Sequence, residues 1–230
     1  MLLDSGVERR APPKRASVIA RALAAIGHLI VPVAALIAVL AVAWAFRSEA
    51  ASELRFLTAL DPSLDPAQGD WLNRGALVLP AVFFVLNLTS RRHGPSIAFG
   101  ATLASWALIA GGIFWAESEG LIASFVEEVA PAPTAIAFTG SLLLGQIANI
   151  YLFDRLRGIP WWEAPFVAAL MGGLVFTASF HTATGGEWNE AALPRLAVLG
   201  AIQLVWALGQ LVPTQMLRRS IRPCPGYGGA

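Results

Sequence analysis

Long apolar segments separated by short charged stretches dominate this sequence. Of its 230 residues, 56% are hydrophobic and 13% are charged, and the mean hydropathy is +0.62. A soluble domain carries about 25% charged residues. An apolar run of about 20 residues can cross a bilayer as a helix, whereas a strand of a spanning barrel needs about 10 alternating residues. The pattern therefore predicts an all-α integral membrane protein whose first partner is the lipid bilayer.

Six apolar runs predict a six-transmembrane-helix bundle. The predicted spans cover residues 17–46, 71–90 (or 74–90), 96–116, 134–153, 161–182 and 192–217. They define one transmembrane domain, 17–218, between cytoplasmic tails at 1–16 and 219–230. The first run exceeds the 7–15-residue core of a signal peptide, so we expect it to be retained. We also expect a short interfacial helix at 121–129.

The basic residues predict the orientation of this bundle. Twelve of the sixteen fall on the two tails, at the first helix entry and in the turns at 91–95 and 154–160. They are Arg9, Arg10, Lys14, Arg15, Arg21, Arg91, Arg92, Arg155, Arg157, Arg218, Arg219 and Arg222. Lys and Arg accumulate on the cytoplasmic side of membrane proteins. Both termini are therefore expected to be cytoplasmic.

Several function classes lack their usual residues. The three histidines are scattered, the single cysteine is Cys224, and no metal-ligand spacing or Gly-rich phosphate loop is present. No acid or base falls near the centre of a predicted span, so no general base is available there. We expect no enzyme, no metal site, no cofactor and no nucleic-acid partner.

Amide side chains inside the apolar runs are the candidate functional groups. Gln146 and Asn149 are three residues apart and so share one helix face, and Asn87 falls inside another run. Such residues prefer the bundle interior, where they either bond between helices, at about 0.6 kcal/mol per contact, or line a cavity. Gln203 and Gln210 are two turns apart, on a face that forms either a seam or a pocket wall.

Two segments resemble the VUT (vitamin uptake transporter) family. The first is GALVLPAVFF at 75–84, followed by Asn87-Leu88-Thr89 and Arg91-Arg92-His93-Gly94. The second is LGQ at 144–146, then LFDRLR at 152–157, WW at 161–162 and AP at 164–165. A weaker third match comprises Gly172, Thr177, Phe180, Pro213 and Arg218-Arg219. Order and spacing agree over roughly residues 20 to 220.

The resemblance implies a compact six-helix importer in a bacterial inner membrane. Understood members of the family import queuosine precursors, which are 7-deazaguanines, so the implied partner is a small heterocycle. The implied substrate-binding residues combine amides and a hydroxyl with flat rings. They are Asn87, Gln146, Asn149, Thr177, Gln203, Phe83, Phe84, Phe176, Phe180 and Trp206.

This chain departs from the family pattern at the charged positions. The family has Asp where this chain has Asn87 and Asn149, and Lys where it has Gln203. An Asn and an Asp are replaced by Gly173 and Phe176, and an Arg falls at Pro133. Losing opposite charges together avoids stranding a buried ion. The fold is therefore expected to survive the change.

A second hypothesis is a non-transporting structural or accessory subunit that keeps the fold but has lost the ligand site. Its partner would be a second copy of the chain or a larger membrane complex, reached through faces rich in Gly and Trp. An open polar cavity between the second, fourth, fifth and sixth helices would favour the importer. A filled, apolar interior would favour the subunit.

Overall fold

The computed structural model describes residues 18–67, 71–121, 132–158 and 160–224, with only the backbone described for 18–25 and 132. These residues form helices and contain no strand, apart from one isolated bridge between Ala50 and Asn73. The helices are α1 (Val18–Ala45), α2 (Arg74–Val78), α3 (Ala81–His93), α4 (Pro95–Ser118), α5 (Ala132–Leu156), α6 (Glu163–Ala183), α7 (Leu193–Gly209) and α8 (Leu211–Leu217). Two short 3-10 helices, Ser52–Ala59 and Pro62–Leu64, lie between α1 and α2. The all-α expectation is confirmed.

Within the described residues, five helical segments are long and apolar enough to cross a membrane. They are Ile26–Ala45, Pro95–Ser118, Pro133–Leu156, Glu163–Ala183 and Leu193–Leu217, the last combining α7 and α8. The chain is therefore a multi-pass membrane protein by helix length and composition. The predicted interfacial helix at 121–129 and the tail at 1–16 fall almost entirely outside the described residues.

The second predicted span is broken into α2 and α3. Pro80 has no N–H to donate and its ring disfavours a continuous helix, so α2 ends at Val78 and α3 begins at Ala81. Neither piece is long enough by itself to cross a bilayer. The prediction of one continuous helix over 71–90 or 74–90 is wrong at this proline.

Helix α3 nevertheless occupies the centre of the bundle. Val82, Leu86 and Asn87 are buried on it, and it packs against α1, α4, α5 and α6. Because protein surrounds this helix, its sequence does not have to be uniformly apolar to avoid lipid. This explains why the polar residues Asn87, Thr89 and Ser90 are buried there.

Helix α1 runs alongside α2 and α3 in the opposite direction. Partway along α1, the His28 ring lies 4.8 Å from the His93 ring at the end of α3, measured between centroids. Near its end, the Ala43 carbonyl lies so close to Gly75 that a Cβ at Gly75 would overlap it. Only glycine allows this approach of α2 to α1.

Three of the predicted cytoplasmic segments meet at one end of the bundle. Arg91 Nε donates to the Ile221 carbonyl at 3.2 Å, and Cys224 N donates to the Arg91 carbonyl at 3.0 Å. The Arg218 guanidinium lies over the Trp161 ring, 5.7 Å from its centroid. The turn after α3, the start of α6 and the chain after α8 therefore lie together.

The loop after α1 packs onto the opposite end. Arg74 forms ion pairs with Glu49 (2.6 Å) and Glu53 (2.5 Å), which join the loop to the start of α2. Arg195, near the start of α7, donates from Nε to the Ser63 carbonyl at 3.1 Å. These contacts give the 47–67 loop a defined position on the bundle.

Candidate functional site

Amides from three helices meet in the bundle interior. Asn149 on α5 donates from Nδ2 to Asn87 Oδ1 on α3 at 3.1 Å. Asn87 Nδ2 in turn lies 3.2 Å from Gln210 Oε1, at the junction of α7 and α8. All three side chains are buried, so each hydrogen bond replaces one to water. We refer to Asn87, Asn149, Gln210, Gln146 and Gln203 as the amide cluster.

The network ends on a backbone carbonyl of α6. Pro165 O accepts from Gln210 Nε2 at 2.8 Å and from Asn87 Nδ2 at 3.0 Å. The predicted site did not include Gln210 or this carbonyl. The two-turn spacing of Gln203 and Gln210 identified their shared face, but sequence offers no signal that a carbonyl on another helix would receive Gln210.

Gln146 lies one turn before Asn149 on α5 and has a separate partner. Trp106 on α4 donates from Nε1 to Gln146 Oε1 at 2.9 Å. Gln146 is fully buried, and the indole holds one side of its amide. Trp106 was not predicted as a site residue, because a lone tryptophan in an apolar run is typical of a lipid-facing or core position.

Among the residues that the structure describes, three atoms of the amide cluster are buried and have no hydrogen-bond partner. They are Gln146 Nε2, Asn149 Oδ1 and Gln203 Oε1. The first is a donor and the other two are acceptors. Leaving such a group unpaired costs about 1–3 kcal/mol each. The cluster can therefore donate one further hydrogen bond and accept others.

Two glycines of α6 let the Gln203 and Asn149 side chains approach this helix. A Cβ at Gly173 would overlap the Gln203 amide, and a Cβ at Gly172 would lie 2.9 Å from Asn149 Cβ and 3.0 Å from the Phe83 ring. Successive residues of α6 thus touch Gln203 on one side and Asn149 on the other. The small residues at these positions create the space that the two amides fill.

The interior between these helices is closed. A narrow space beside the cluster is too tight to admit a water-sized sphere. Its lining combines apolar and amide groups from α3, α6 and α7: Pro80, Phe83, Ala169, Gln203, Trp206, Ala207 and Gln210. The interior is thus filled, as the subunit hypothesis expects. It contains buried amide side chains, however, whereas that hypothesis expects an apolar interior.

Two of the predicted aromatic residues border this space. Phe83 is buried one turn before Asn87, and Trp206 donates from Nε1 to the Leu77 carbonyl at 2.6 Å. The interrupted helix at Pro80 leaves backbone carbonyls available to other donors. Phe84 is only half-buried, since neighbouring residues on a helix face different directions.

The remaining predicted residues lie farther along α6. Phe176 and Phe180 stack with centroids 6.0 Å apart, and both meet the Phe138 ring edge-on. Thr177 donates to the Gly173 carbonyl of its own helix at 3.0 Å. Its hydroxyl is thus satisfied locally, and the rings form a cluster of their own with Phe138.

The site is uncharged. Among the described residues, no Asp, Glu, Lys or Arg is buried, and no group of three metal-binding side chains occurs. Amides bind neutral polar groups by paired donors and acceptors, and buried phenyl and indole rings offer flat faces. The arrangement suits recognition of a neutral planar molecule.

Comparison with known proteins adds no family assignment. No family model, no curated protein and no solved structure matches this chain.

Proposed function

We propose that this chain is a membrane carrier for a small neutral heterocycle, in the first place a queuosine precursor of the 7-deazaguanine type. The observation that carries the proposal is the buried donor of Gln146 together with the buried acceptors of Asn149 and Gln203. A deazaguanine edge offers donors to amide oxygens and an acceptor to an amide N–H, so it complements all three atoms. Hydrogen bonds to the ligand would satisfy these three atoms and so offset the free-energy cost of leaving them unpaired.

The carrier proposal requires the helices to part, because the interior has no room for a ligand as it stands. Helix α7 is the best candidate for the moving element. It packs mainly on α6, while Trp206 connects it to the Leu77 carbonyl and Gln210 connects its end to Asn87. Exchanging these side-chain bonds for bonds to a ligand would open the cluster without exposing an ionised group.

We further propose that α2 and α3 together make a sixth crossing, with both termini cytoplasmic. The contacts of α1 with His93 and with Gly75 support this, because they align α2 and α3 with the part of α1 between His28 and Ala43. The 15 residues between His28 and Ala43 span about 23 Å at the helical rise. The positive-inside distribution supports the same orientation.

Site-specific labelling tests the sixth crossing. Cysteines placed at the exposed positions Ser52 and Ser220, each in a Cys224→Ser background, should react with an impermeant maleimide from opposite sides of the membrane. Ser96, which follows the turn after α3, should label from the same side as Ser220. Labelling of Ser96 from the side of Ser52 would remove the sixth crossing.

An uptake assay tests the transport proposal. Expression in a strain that can neither make nor import queuosine precursors should restore queuosine in tRNA when 7-cyano-7-deazaguanine is supplied at low concentration. Asn149→Leu should abolish the rescue, because it removes the acceptor and the bond to Asn87. Thr102→Ala is the matched control, since Thr102 is equally buried but donates only to the Ala98 carbonyl of its own helix.

The filled interior favours a second candidate, an accessory subunit without transport. On that view the amide cluster is a structural device that joins α3, α5, α6 and α7. Absence of rescue by a well-expressed chain at every precursor concentration, together with a stoichiometric complex after mild detergent extraction, would support the subunit and contradict the carrier.

A further inference from the structure

A surface groove lies at the basic end of the bundle, away from the amide cluster. It is open, holds ≈ 440 Å³, and is formed by the start of α6 and by α8. Its lining is apolar except for one amide: Trp161, Trp162, Leu211, Val212, Gln215 and Met216. Val212 is 64% exposed and Met216 is 74% exposed, so no part of the chain that the structure describes covers them.

The groove lies at the depth of a membrane–water interface. Tryptophans concentrate at that level, and Trp161 and Trp162 stand between the Arg157 turn and the apolar start of α6. The helix α8 ends at Leu217 and is followed at once by Arg218 and Arg219. The apolar part of the groove therefore faces acyl chains, and its end faces headgroups.

Positive charge is concentrated at the headgroup end. The Arg218 guanidinium lies over Trp161, one of the lining residues, and Arg91 Nε donates to the carbonyl of Ile221, three residues after Arg218. Within the described part of the chain, neither arginine forms an ion pair with a carboxylate. The exposed Arg219 and Arg222 add to this charge. The nearby described acids are Glu163, which follows Trp162, and Asp154, which pairs with Arg157.

We propose that this groove binds an anionic phospholipid, with one acyl chain along Val212 and Met216 and the phosphate at Arg218. The apolar walls exclude water from the chain, while the guanidinium donates charge-assisted hydrogen bonds to the phosphate oxygens. Basic pockets beside membrane helices on the cytoplasmic side bind such headgroups. The site is independent of the proposed transport function, since it shares no residue with the amide cluster.

Lipid retention tests the proposal. The full chain, purified in a neutral detergent, is mixed with phosphatidylglycerol or with phosphatidylcholine micelles, and bound lipid is counted by native mass spectrometry while the melting temperature is recorded. We expect about one phosphatidylglycerol per chain and a higher melting temperature than with phosphatidylcholine. Arg218→Gln should weaken retention at least about tenfold, the loss expected for a charge-assisted hydrogen bond.

Two further variants separate the groove from general charge effects. Val212→Trp fills the groove without changing its charge and should also abolish retention. Arg47→Gln is the matched control, because Arg47 lies over Trp44 at the opposite end of the bundle, and it should retain lipid normally.

Three results would overturn the proposal. The first is equal retention of both lipids, or retention unchanged in Arg218→Gln and Val212→Trp. The second is the same thermal shift with inorganic phosphate alone, which would indicate a simple anion site. The third is a dimer that Val212→Trp dissociates, which would show that a second copy covers the groove.

Discussion

Asn149 Nδ2 donates to Asn87 Oδ1 at 3.1 Å, and this bond joins α5 to the central helix α3. Asn87 passes the connection on to the Pro165 carbonyl of α6 and to Gln210 beyond α7. Asn87 thus connects α3 with α5, with α6 and with the end of α7, while Trp106 connects α4 to α5 through Gln146. The polar interior is a connected structural element as well as a candidate binding site.

The coupling between Asn87 and Asn149 can be measured. Asn87→Ala should destabilise the fold by about 1–3 kcal/mol, because Asn149 and Gln210 each lose a partner inside the bundle. A double-mutant cycle with Asn149→Ala should give a coupling of about 0.6 kcal/mol and at most about 1.7 kcal/mol, the average and the maximum found for hydrogen bonds within membranes. The free energy of unfolding in mixed micelles provides the measurement. If the losses in unfolding free energy of the two single variants simply add up in the double variant, the hydrogen bond between Asn87 and Asn149 is contradicted.

Gly145 tests the close approach of α5 to α6. A Cβ at this position would lie 2.6 Å from the Gly172 carbonyl and 3.0 Å from Phe176 Cβ. Gly145→Ala should therefore force the helices apart and cost about 1–3 kcal/mol. Gly140→Ala, on the same helix with nothing within 4 Å, is the control and should be neutral or slightly stabilising. Similar melting temperatures for the two variants would rule out the close contact between α5 and α6 at Gly145.

Trp106 tests the anchoring of Gln146. Trp106→Phe keeps a ring but removes the N–H that donates to Gln146 Oε1, leaving the whole buried amide without a partner. We expect a loss of about 1–3 kcal/mol in unfolding free energy. Trp115→Phe, on the exposed part of the same helix, should have no measurable effect. If the carrier proposal is right, Trp106→Phe should also change the apparent affinity for the precursor.

The loop after α1 should loosen in acid. The hydrogen bond from Arg74 holds the pKa of the Glu53 carboxyl below its ordinary value of 4.5. A carboxyl with a lowered pKa stabilises the fold fully above the ordinary value and loses that contribution as pH falls through the lowered one. Both partners are substantially exposed, so the effect is local to the loop.

A spin label at Ser52 can follow this loosening. In a Cys224→Ser background, the label should be restrained at pH 7 and become mobile below pH 4.5, the ordinary value for the Glu53 carboxyl. Glu53→Gln should be partly mobile at every pH and show a smaller transition, which leaves Glu49 as the remaining partner of Arg74. A transition of unchanged size in Glu53→Gln would mean that another group controls the loop.

Hydrophobic run length was enough to predict most helices to within a few residues. Residues 96–116 were predicted where α4 covers Pro95–Ser118, and 161–182 where α6 covers Glu163–Ala183. The interruption at Pro80 was underestimated, because a proline can either kink a helix or end it, and the surroundings decide between the two. Here the Trp206 indole bonds the Leu77 carbonyl beside the break.

The sequence by itself determined that this chain enters a membrane as a set of apolar helices, because the cost of exposing backbone to lipid leaves few alternatives. It also identified the amide side chains as groups that prefer the bundle interior to lipid. Only the tertiary structure decided which amides meet, since partners such as Gln210, Trp106 and the Pro165 carbonyl come from other helices and depend on how far glycines let those helices approach. Packing geometry of this kind has no counterpart in a one-dimensional pattern.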